Sequence, residues 1–366
     1  MPDSLLHQIA LTLVPHIGDV HTKSLISHFG TAEAIFRARK KELEHVEGIG
    51  SVRAKCIRDF RDFSLAENEM SFIGKYKITP LFITTPGYPK RLLNCYDSPA
   101  ILYYRGNADL NSARIISVVG TRTNSEYGRL ITEKLMEELS ALNILVVSGL
   151  AFGIDTIAHK AALKNGLNTV GVLAHGLDRI YPPQNKTLAR QMTGQGGLLT
   201  DFRNDTRPDK QNFPRRNRIV AGLCDALMVI ESGVKGGSMI TAEIANGYNR
   251  DVFAVPGRIN DVHSEGCNEL VRNNKAVLIT GARDLLLDLG WTEEKKPVKK
   301  LQRQLFVELS PEEKIIADIL TTRETVHIDD LYQKSGLSNS GVASALLTLE
   351  MQNLVQSLPG KMYRLC

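Results

Sequence analysis

The sequence lacks the marks of a membrane, secreted or metal-binding protein. No apolar run approaches the length of a transmembrane helix and no signal peptide is recognisable, so we expect no membrane association. The five cysteines are scattered without a Cys-x-x-Cys pair, and the nine histidines have no metal-ligand spacing. We therefore expect neither disulfides nor a bound metal, and a reducing cytoplasm suits the chain.

The common phosphate-binding loops of nucleotide enzymes are also missing. No Gly-Lys-Ser/Thr follows a glycine-rich stretch, and Gly120 and Gly128 are too far apart for a dinucleotide-binding Gly-x-Gly-x-x-Gly. No cofactor is therefore predicted. The chain has 366 residues, of which 43% are hydrophobic, and a net charge of +5. That length allows two or three packed domains, and the charge permits a polyanionic partner without requiring one.

Between Arg114 and about Leu289, short apolar runs alternate with amphipathic helical stretches. This alternation predicts an α/β fold with an extended Rossmann-like, doubly wound parallel sheet. The predicted strands are residues 115–119, 144–147, 169–173, 197–200, 226–230, 252–255 and 276–279. Ligands of such sheets bind beyond the carboxyl ends of the strands, so the loops at those ends form the candidate site.

Proline-rich stretches and changes in composition divide the chain into further segments. The predicted segments are a helical, helix-hairpin-helix-like (SAM-like) domain at 1–70, a proline-rich connector at 71–112, the Rossmann-like domain at 113–290, a charged linker at 291–304 and a winged-helix domain at 305–366. In the first domain, the turns Pro15–Gly18 and Val46–Gly50 either present backbone amides to a phosphate or serve only as packing turns, and both interpretations stay open.

Arginines stand where cations are least expected, in the first turn of a helix that begins near Pro214. Arg215, Arg216 and Arg218 oppose the helix dipole there unless a bound anion lies among them. Arg122 follows the first predicted strand of the sheet, and we favour contact with phosphate over a surface pair with a neighbouring glutamate. The interpretation is a phosphate-backbone site that combines arginines with bare backbone from the glycine-rich loop after residue 231.

Phe152 interrupts a loop of otherwise small and polar residues. One interpretation places its ring in the core. The other exposes the ring for stacking on a nucleic-acid base, which is worth about 1–3 kcal/mol in single-strand binders.

An enzymatic alternative rests on the stretch from Gly236 to Glu243, which looks somewhat like the loop of phosphoribohydrolases. In a nucleotide N-glycosidase of that kind, Glu231 would meet a ribose, and Asp155 or Glu243 would act as acid or base. Against this alternative, the chain shows no closely spaced carboxylate pair. A helix cap for Asp155 and a packed imidazole for His159 are the structural interpretations, and we favour them.

The winged-helix segment carries the wrong charge for a DNA reader. Residues 305–366 contain five Lys/Arg and eight Asp/Glu, and its third helix, near 338–352, has no basic residue. Helices that read DNA normally bring Arg or Lys to phosphates and bases. We therefore expect this helix to pack against protein, although a duplex-binding regulator that uses this segment remains a second alternative.

Several long motifs, taken together in order, resemble one family. They are Ser-Val-Val-Gly-Thr-Arg at 117–122, Ser-Gly-Leu-Ala-Phe-Gly-Ile-Asp-Thr-Ile-Ala-His at 148–159, Ala-His-Gly-Leu-Asp at 174–178, Phe-Pro-Arg-Arg-Asn-Arg-Ile at 213–219, Glu-Ser-Gly-Val-Lys-Gly-Gly-Ser at 231–238 and Val-Pro-Gly at 255–257. These motifs resemble the DNA-processing protein A (DprA/Smf) family. The flanking helical and winged domains also have counterparts in that family.

The resemblance implies a cytoplasmic, homodimeric bacterial protein that binds single-stranded DNA, protects it during natural transformation and loads the RecA recombinase. It implies no catalytic activity and no metal, and we expect the dimer to form through the Rossmann-like domain. The family's strand-binding positions correspond here to Arg122 and the 215–218 turn. With the loops at the strand ends, the predicted DNA-binding residues are Gly120, Arg122, Gly149, Phe152, Gly153, Arg215, Arg216, Asn217, Arg218, Lys235, Gly236, Gly237, Ser238 and Arg258.

Overall fold

The structure is a computed structural model that describes residues 5–291, 309–321, 323, 325–352, 354–358 and 362–365. The chain forms two compact units, Met1–Thr292 and Glu293–Cys366. Most of the predicted charged linker, and the predicted Pro359–Gly360 turn of the wing, lie outside the described residues. Within those residues, no helix is both long and apolar enough to cross a bilayer.

The first unit begins with a small helical domain. Its helices are α1 Leu5–Leu11, α2 Asp19–Phe29, α3 Ala32–Arg37, α4 Lys40–Glu44, α5 Ser51–Asp59 and α6 Ser64–Tyr76. The two predicted hairpin turns lie side by side, because the guanidinium of Arg53 donates to the carbonyl oxygens of His16 and Gly48, each at 3.1 Å. Gly48 turns the chain with a φ of +81°, which favours glycine.

The central sheet has nine strands in the order β1-β2-β6-β5-β4-β3-β7-β8-β9. The strands are β1 Thr79–Phe82, β2 Ile101–Gly106, β3 Ile115–Val119, β4 Leu145–Ser148, β5 Asn168–Val172, β6 Gly196–Thr200, β7 Ala226–Val229, β8 Asp251–Ala254 and β9 Val277–Leu278. The seven strands from β3 to β9 are parallel, as the alternating pattern predicts.

The predicted connector is part of the sheet. Strand β2 pairs antiparallel with β6, and β1 pairs antiparallel with β2. A short helix, α7 Lys90–Leu93, lies between these two strands in the chain. The prolines mark a boundary between domains, whereas the apolar run at 101–104 has the pattern of a strand and is fully buried in β2, between β1 and β6.

Helices cover both faces of the sheet and enclose two hydrophobic cores. The helices that follow β3 in the chain are α8 Glu126–Leu139, α9 Ile154–Lys164, α10 Lys186–Met192, α11 Asn212–Leu223, α12 Gly237–Gly247, α13 Glu265–Arg272 and α14 Ala282–Asp288. Apolar side chains of α8, α9 and α14 pack on one face, and those of α11, α12 and α13 pack on the other. The strand order changes direction at β3, which lies between β4 and β7. That switch point is where ligands of such sheets bind.

The second unit is a winged helix, as predicted. Its elements are α15 Pro311–Thr321, β10 Val326–His327, α16 Ile328–Ser335, α17 Asn339–Met351, β11 Val355–Leu358 and β12 Met362–Leu365. The three strands form a sheet in the order β10-β12-β11, and apolar residues of all three helices make a separate core beneath it.

A buried glutamate joins the helical domain to the sheet domain. Glu69 on α6 is 2% exposed, and its carboxylate accepts hydrogen bonds from the backbone N–H of Asn204 at 3.0 and 3.3 Å. Burial raises the pKa of the Glu69 carboxyl to about 7, although the Asn204 amide favours the charged form. Because the Glu69 carboxyl binds its proton more tightly in the folded protein than in the unfolded chain, protonation of Glu69 stabilises the folded protein at low pH. That contribution is lost as pH rises through 7.

We expect Glu69→Gln, which keeps an oxygen acceptor for Asn204, to raise the free energy of unfolding at pH 8 by about 1–3 kcal/mol. The gain should shrink toward zero as the pH is lowered through 5, because the wild-type carboxyl is then protonated in the folded state. Urea unfolding of both proteins at pH 5 and pH 8 measures the difference. Glu67→Gln, at an exposed position on the same helix, is the matched control. Equal effects of Glu69→Gln at both pH values would contradict this account.

Candidate nucleic-acid interface

A groove of about 570 Å³ lies at the switch point of the sheet, beyond the carboxyl ends of β3, β4 and β7. The loops after those strands form its floor, and the first turns of α11 and α12 form its sides. Of the predicted DNA-binding residues, those that line it are Gly120, Arg122, Gly149, Arg216, Asn217, Gly236, Gly237 and Ser238. The structure therefore brings these eight predicted residues together at one edge of the sheet.

The glycines of the groove have two different physical roles. A side chain at Gly120 would come within 2.5 Å of Ile154, and one at Gly149 would meet the guanidinium of Arg216. Gly153 has a φ of +75°, and a side chain there would collide with the carbonyl oxygen of Thr121. These three glycines let the loops pack against one another. At Gly237, in contrast, an added Cβ would meet nothing within 4 Å, so its backbone faces open space.

Arg122 is an exposed cation of the groove. Its guanidinium lies over the ring of Phe213, 5.1 Å from the centroid. Glu126, the surface partner considered for it, pairs instead with Arg129, at 3.0 Å from Oε2 to Nε. Lys210, which the sequence analysis did not single out, also lines the groove and is exposed. It precedes α11 in an irregular segment, and a lone lysine in a loop gives no periodic signal.

The structure corrects the prediction for Arg216. Its side chain is buried, with 4% of the residue exposed, and donates hydrogen bonds to the carbonyl oxygens of Gly149 and Val172. Burial lowers the pKa of this guanidinium to about 10, and the nearby Asp155 carboxylate opposes that shift. Arg216 therefore holds the loop after β4 against the end of β5, and its guanidinium is not free to bind a phosphate.

Arg218 and Arg215 also lie away from the groove. Arg218 donates to Asp19 at 2.8 Å and to Asp201 at 2.9 Å, and is buried between them. Arg215 is half exposed, with its Nε 3.2 Å from Asp201 and its guanidinium over Phe202. Neighbouring positions on a helix point in different directions, so these arginines cannot surround one anion. The hypothesis of a three-arginine phosphate clamp is corrected on this ground.

Three aromatic rings line or border the groove beside Arg122. Phe152 is 43% exposed and Tyr181 44% exposed, so the interpretation of Phe152 as a core residue is wrong. The rings of Tyr181 and Phe213 are tilted against each other with centroids 6.1 Å apart. All three rings line a small hollow next to the groove. Tyr181 is held in place because its backbone N–H donates to the buried His175 ring at 3.2 Å.

Two predicted cations lie elsewhere on the same edge. Lys235 is exposed on the loop after β7 but does not line the groove. Arg258, also exposed, belongs to a separate cleft with Tyr127 and Ile259. The loop that follows β8 thus forms a different surface from the groove, although it too begins at the carboxyl end of a strand.

The carboxylates of the enzymatic alternative have structural partners. Glu231 is 1% exposed, and its carboxylate accepts hydrogen bonds from the backbone N–H of Ser125 at 2.9 Å and from the Ser125 hydroxyl. Glu243 is exposed and pairs with Lys275 at 3.2 Å. Asp155 is buried and accepts the N–H groups of Gly149 and Ala151. Glu231 and Glu243 do not line the groove, whereas Asp155 does.

His159 matches the structural interpretation favoured from the sequence, but Asp155 does not cap a helix: the N-cap of α9 is Gly153, and the Asp155 carboxylate accepts from the loop before the helix. The Nδ1 of His159 is 2.6 Å from the hydroxyl of Thr169, and the ring is fully buried. Burial lowers the pKa of this imidazole to about 3, so it is neutral at physiological pH. Asp155 holds the loop after β4 in the first turn of α9.

Comparison with known proteins covers nearly the whole chain. A family model described as DNA recombination-mediator protein A matches residues 79–290, a DprA winged helix domain matches 303–361, and a helix-hairpin-helix motif matches 9–69. Protein Smf of Synechocystis is 32% identical over 97% of this chain and 97% of its own length. DNA processing protein DprA of Streptococcus pneumoniae is 38% identical, over 68% of this chain and 91% of that protein.

Solved structures agree with the sequence comparisons. The X-ray structure of DprA from Streptococcus pneumoniae matches with a TM-score of 0.68 and 32% identity, and the match covers 78% of this chain and 98% of that one. A structure that concerns the single-stranded DNA binding mode of DNA processing protein A from Helicobacter pylori matches with a TM-score of 0.54 and 30% identity, over 59% and 97% of the two chains. The domain model, the full-length relatives and these structures confirm the resemblance seen in the motifs: the chain belongs to the DNA-processing protein A (DprA/Smf) family.

Proposed function

We propose that this protein binds single-stranded DNA in the groove at the switch point of the sheet, with little preference for sequence. The observation that carries the proposal is the pairing of an exposed guanidinium, Arg122, with exposed aromatic rings at one end of a groove whose other wall is bare backbone. The relative from Helicobacter pylori, whose single-stranded DNA binding mode has been solved, supports the same ligand.

The electrostatics of the groove suit a phosphate backbone. Arg122 and Lys210 supply two exposed cations, and the buried Arg216 adds positive potential from beneath without leaving its internal partners. The first turn of α12, which begins at Gly237, also lines the groove, and the positive end of its helix dipole favours anions there. Backbone amides bind any phosphate equally well, which accounts for tolerance of sequence.

The aromatic rings provide selectivity for single strands. The faces of bases are accessible for stacking only when they are unpaired, and every base has such a face. Phe152 and Tyr181 expose nearly half of their surface beside Arg122, so a base and its phosphate can be contacted together. Duplex DNA would present only its backbone to this site.

In the cell, we propose that the bound strand is protected during DNA uptake and passed to the RecA recombinase in the cytoplasm. We further propose that the protein forms a homodimer through the Rossmann-like domain and has no catalytic role. The five segments have the boundaries predicted from the sequence. Supporting the last point, Glu231 and Glu243, which a nucleotide N-glycosidase would use, have structural partners away from the groove. Release of free base from nucleoside monophosphates would contradict it.

Removing the Arg122 charge should weaken binding and reduce its dependence on salt. Arg122→Ala loses a charge-assisted phosphate contact, so affinity for oligo-dT should fall roughly 10- to 100-fold. The slope of log K against log salt should become shallower by about 0.7. Fluorescence anisotropy across a salt series measures both, with a blunt duplex as comparison ligand. Arg190→Ala, at an exposed position on α10, is the matched control. A wild-type slope in Arg122→Ala would place the phosphates elsewhere.

Removing the ring of Phe152 should lower affinity without changing its dependence on salt. Phe152→Ala should lower affinity for oligo-dT by roughly 5- to 100-fold, the loss of one stacked base, and leave the salt slope unchanged. Phe152→Tyr should retain affinity. Tyr96→Ala removes a ring that is 74% exposed outside the groove and serves as control. If Phe152→Ala binds as tightly as the wild type, the ring does not stack on a base.

The winged helix should contribute little to strand binding. Because residues 305–366 carry a net negative charge and α17 lacks basic residues, deletion of residues 301–366 should leave oligo-dT affinity within about twofold of wild type. The melting temperature of the truncated protein controls for its folding. A collapse of strand affinity, or the loss of a strong duplex affinity present in the full chain, would support the alternative of a duplex-binding regulator.

A further inference from the structure

The loop after β4 leads directly into the exposed ring of Phe152, and side chains hold this loop in place. All three carbonyl oxygens of residues 149–151 accept hydrogen bonds from side chains: Arg216 donates to Gly149, Asn185 to Leu150 and Thr156 to Ala151. The Asp155 carboxylate accepts two amides of the same loop. The path of the backbone into Phe152 is therefore set by contacts that come from outside the loop.

Leu150, in the middle of this loop, has a strained backbone. Its φ is +56°, a left-handed conformation that costs free energy for any residue with a side chain. Such conformations persist only where the surroundings impose them, and they cluster at functional sites. The Leu150 side chain is fully buried in a cluster with Leu188 and Met192 of α10, and its carbonyl oxygen accepts from Asn185 Nδ2 at 2.9 Å. Residues at the start of α10 and within it therefore hold Leu150 in this conformation.

Asn185 occupies the N-cap position of α10 and is buried, but its side chain does not cap that helix. An asparagine at this position normally accepts a hydrogen bond from the first turn of its own helix. Here its Nδ2 donates instead to the Leu150 carbonyl and, at 2.8 Å, to the hydroxyl of Thr156. Thr156 in turn donates to the carbonyl oxygen of Ala151 at 2.6 Å. The Asn185 side chain thus holds the loop before Phe152 and not its own helix.

The segment that ends at Asn185 begins at Tyr181, the second exposed ring beside the groove. The backbone N–H of Tyr181 donates to Nε2 of the buried His175 at 3.2 Å, and Nδ1 of His175 is 2.9 Å from the carbonyl oxygen of Gly176. A neutral imidazole with its proton on Nδ1 satisfies both contacts. The segment is therefore fixed at its first residue by His175 and at its last by Asn185, which also joins it to the loop after β4.

We propose that Asn185 is a positioning residue for strand binding, which fixes the Phe152 ring relative to the Tyr181 ring before a base arrives. This role rests on the proposed function, because a fixed pair of rings matters only if bases stack there. Asn185 is 4% exposed and does not line the groove, so it acts through the Leu150 carbonyl and not by touching the strand. Without its amide, the loop must be ordered when the strand binds, and that ordering lowers affinity.

The first test is a double-mutant cycle on oligo-dT affinity in the full-length protein. Asn185→Ala should weaken binding by roughly 3- to 10-fold and leave the salt slope unchanged. In the Phe152→Ala background the same substitution should cost less than about twofold, because the ring that it positions is gone. Asn165→Ala is the matched control, since it removes an amide that donates to the Ala161 carbonyl at 2.9 Å away from the groove. Wild-type affinity in Asn185→Ala, or equal losses with and without the Phe152 ring, would overturn the proposal.

A spectroscopic test needs no DNA. Phe152→Trp places an indole at the ring position, and its fluorescence anisotropy in the free protein reports how firmly the ring is held. Asn185→Ala should lower that anisotropy, whereas Asn165→Ala should not. The wild-type protein, whose single tryptophan is Trp291, supplies the blank. The same anisotropy with and without the Asn185 amide would show that this side chain does not position the ring, and the proposal would then be wrong.

The melting temperature of each variant controls for folding. If Asn185→Ala melts too low for binding measurements, Thr156→Val decides, because it keeps the shape of the side chain and removes the oxygen that links Asn185 to Ala151. A loss of affinity that requires the Phe152 ring supports the proposal, and wild-type affinity overturns it. Failure here is separable from failure of the proposed function: strand binding that depends on Arg122 would stand without Asn185, whereas wild-type binding in Arg122→Ala and Phe152→Ala would refute the function itself.

Discussion

The structure depends on one buried charge cluster, in which the guanidinium of Arg218 lies between the carboxylates of Asp19 and Asp201. Asp19 belongs to α2 of the helical domain and also accepts the backbone N–H of Ala100 at 2.9 Å. Asp201 follows β6, and Arg218 lies on α11. One cation therefore fixes the helical domain, the sheet and the helix beside the groove. Losing either carboxylate would leave a charge buried with fewer partners, which is strongly destabilising.

A similar principle shapes the groove, whose loops are held by charged groups with internal hydrogen-bond partners. Arg216 binds the carbonyl oxygens at the ends of β4 and β5, Asp155 binds amides in the loop after β4, and Glu231 binds Ser125 at the start of α8. These contacts hold the loops in place before any ligand arrives, and preorganisation lowers the cost of binding. Arg122 and Lys210 are then free to act on solvent-borne anions.

Much of this architecture is predictable from the sequence, because burial leaves a periodic trace. The seven parallel strands, the winged helix and the edge of the sheet that carries the groove all follow from apolar alternation and from loops of small residues. The direction of individual side chains does not. Arg215, Arg216 and Arg218 lie close together in sequence but point to three different environments. Residues distant in the chain, such as Asp19 and Gly149, determine which of these arginines has an internal hydrogen-bond partner.

The same limit explains the other differences. The apolar run at 101–104 indicates a strand, but its antiparallel pairing with β6 depends on contacts distant in the chain. Glu231 follows a strand as an active-site acid would, but it turns inward and accepts hydrogen bonds from Ser125, the N-cap residue of α8. The exposure of Phe152 depends on the path of its loop, and that path is set by the φ of +75° at Gly153. Each of these outcomes is decided by tertiary contacts that no local pattern records.

The unequal surroundings of the glycines have an evolutionary consequence. Gly120, Gly149 and Gly153 are enclosed by neighbouring loops, so any side chain there would collide with them. Gly237 faces empty space and can accept a side chain without disturbing its neighbours. Mutation can therefore narrow, charge or lengthen the rim of the groove at Gly237 while stability is preserved. Gly237 is therefore a position at which substitutions during evolution can alter this rim at little cost to folding.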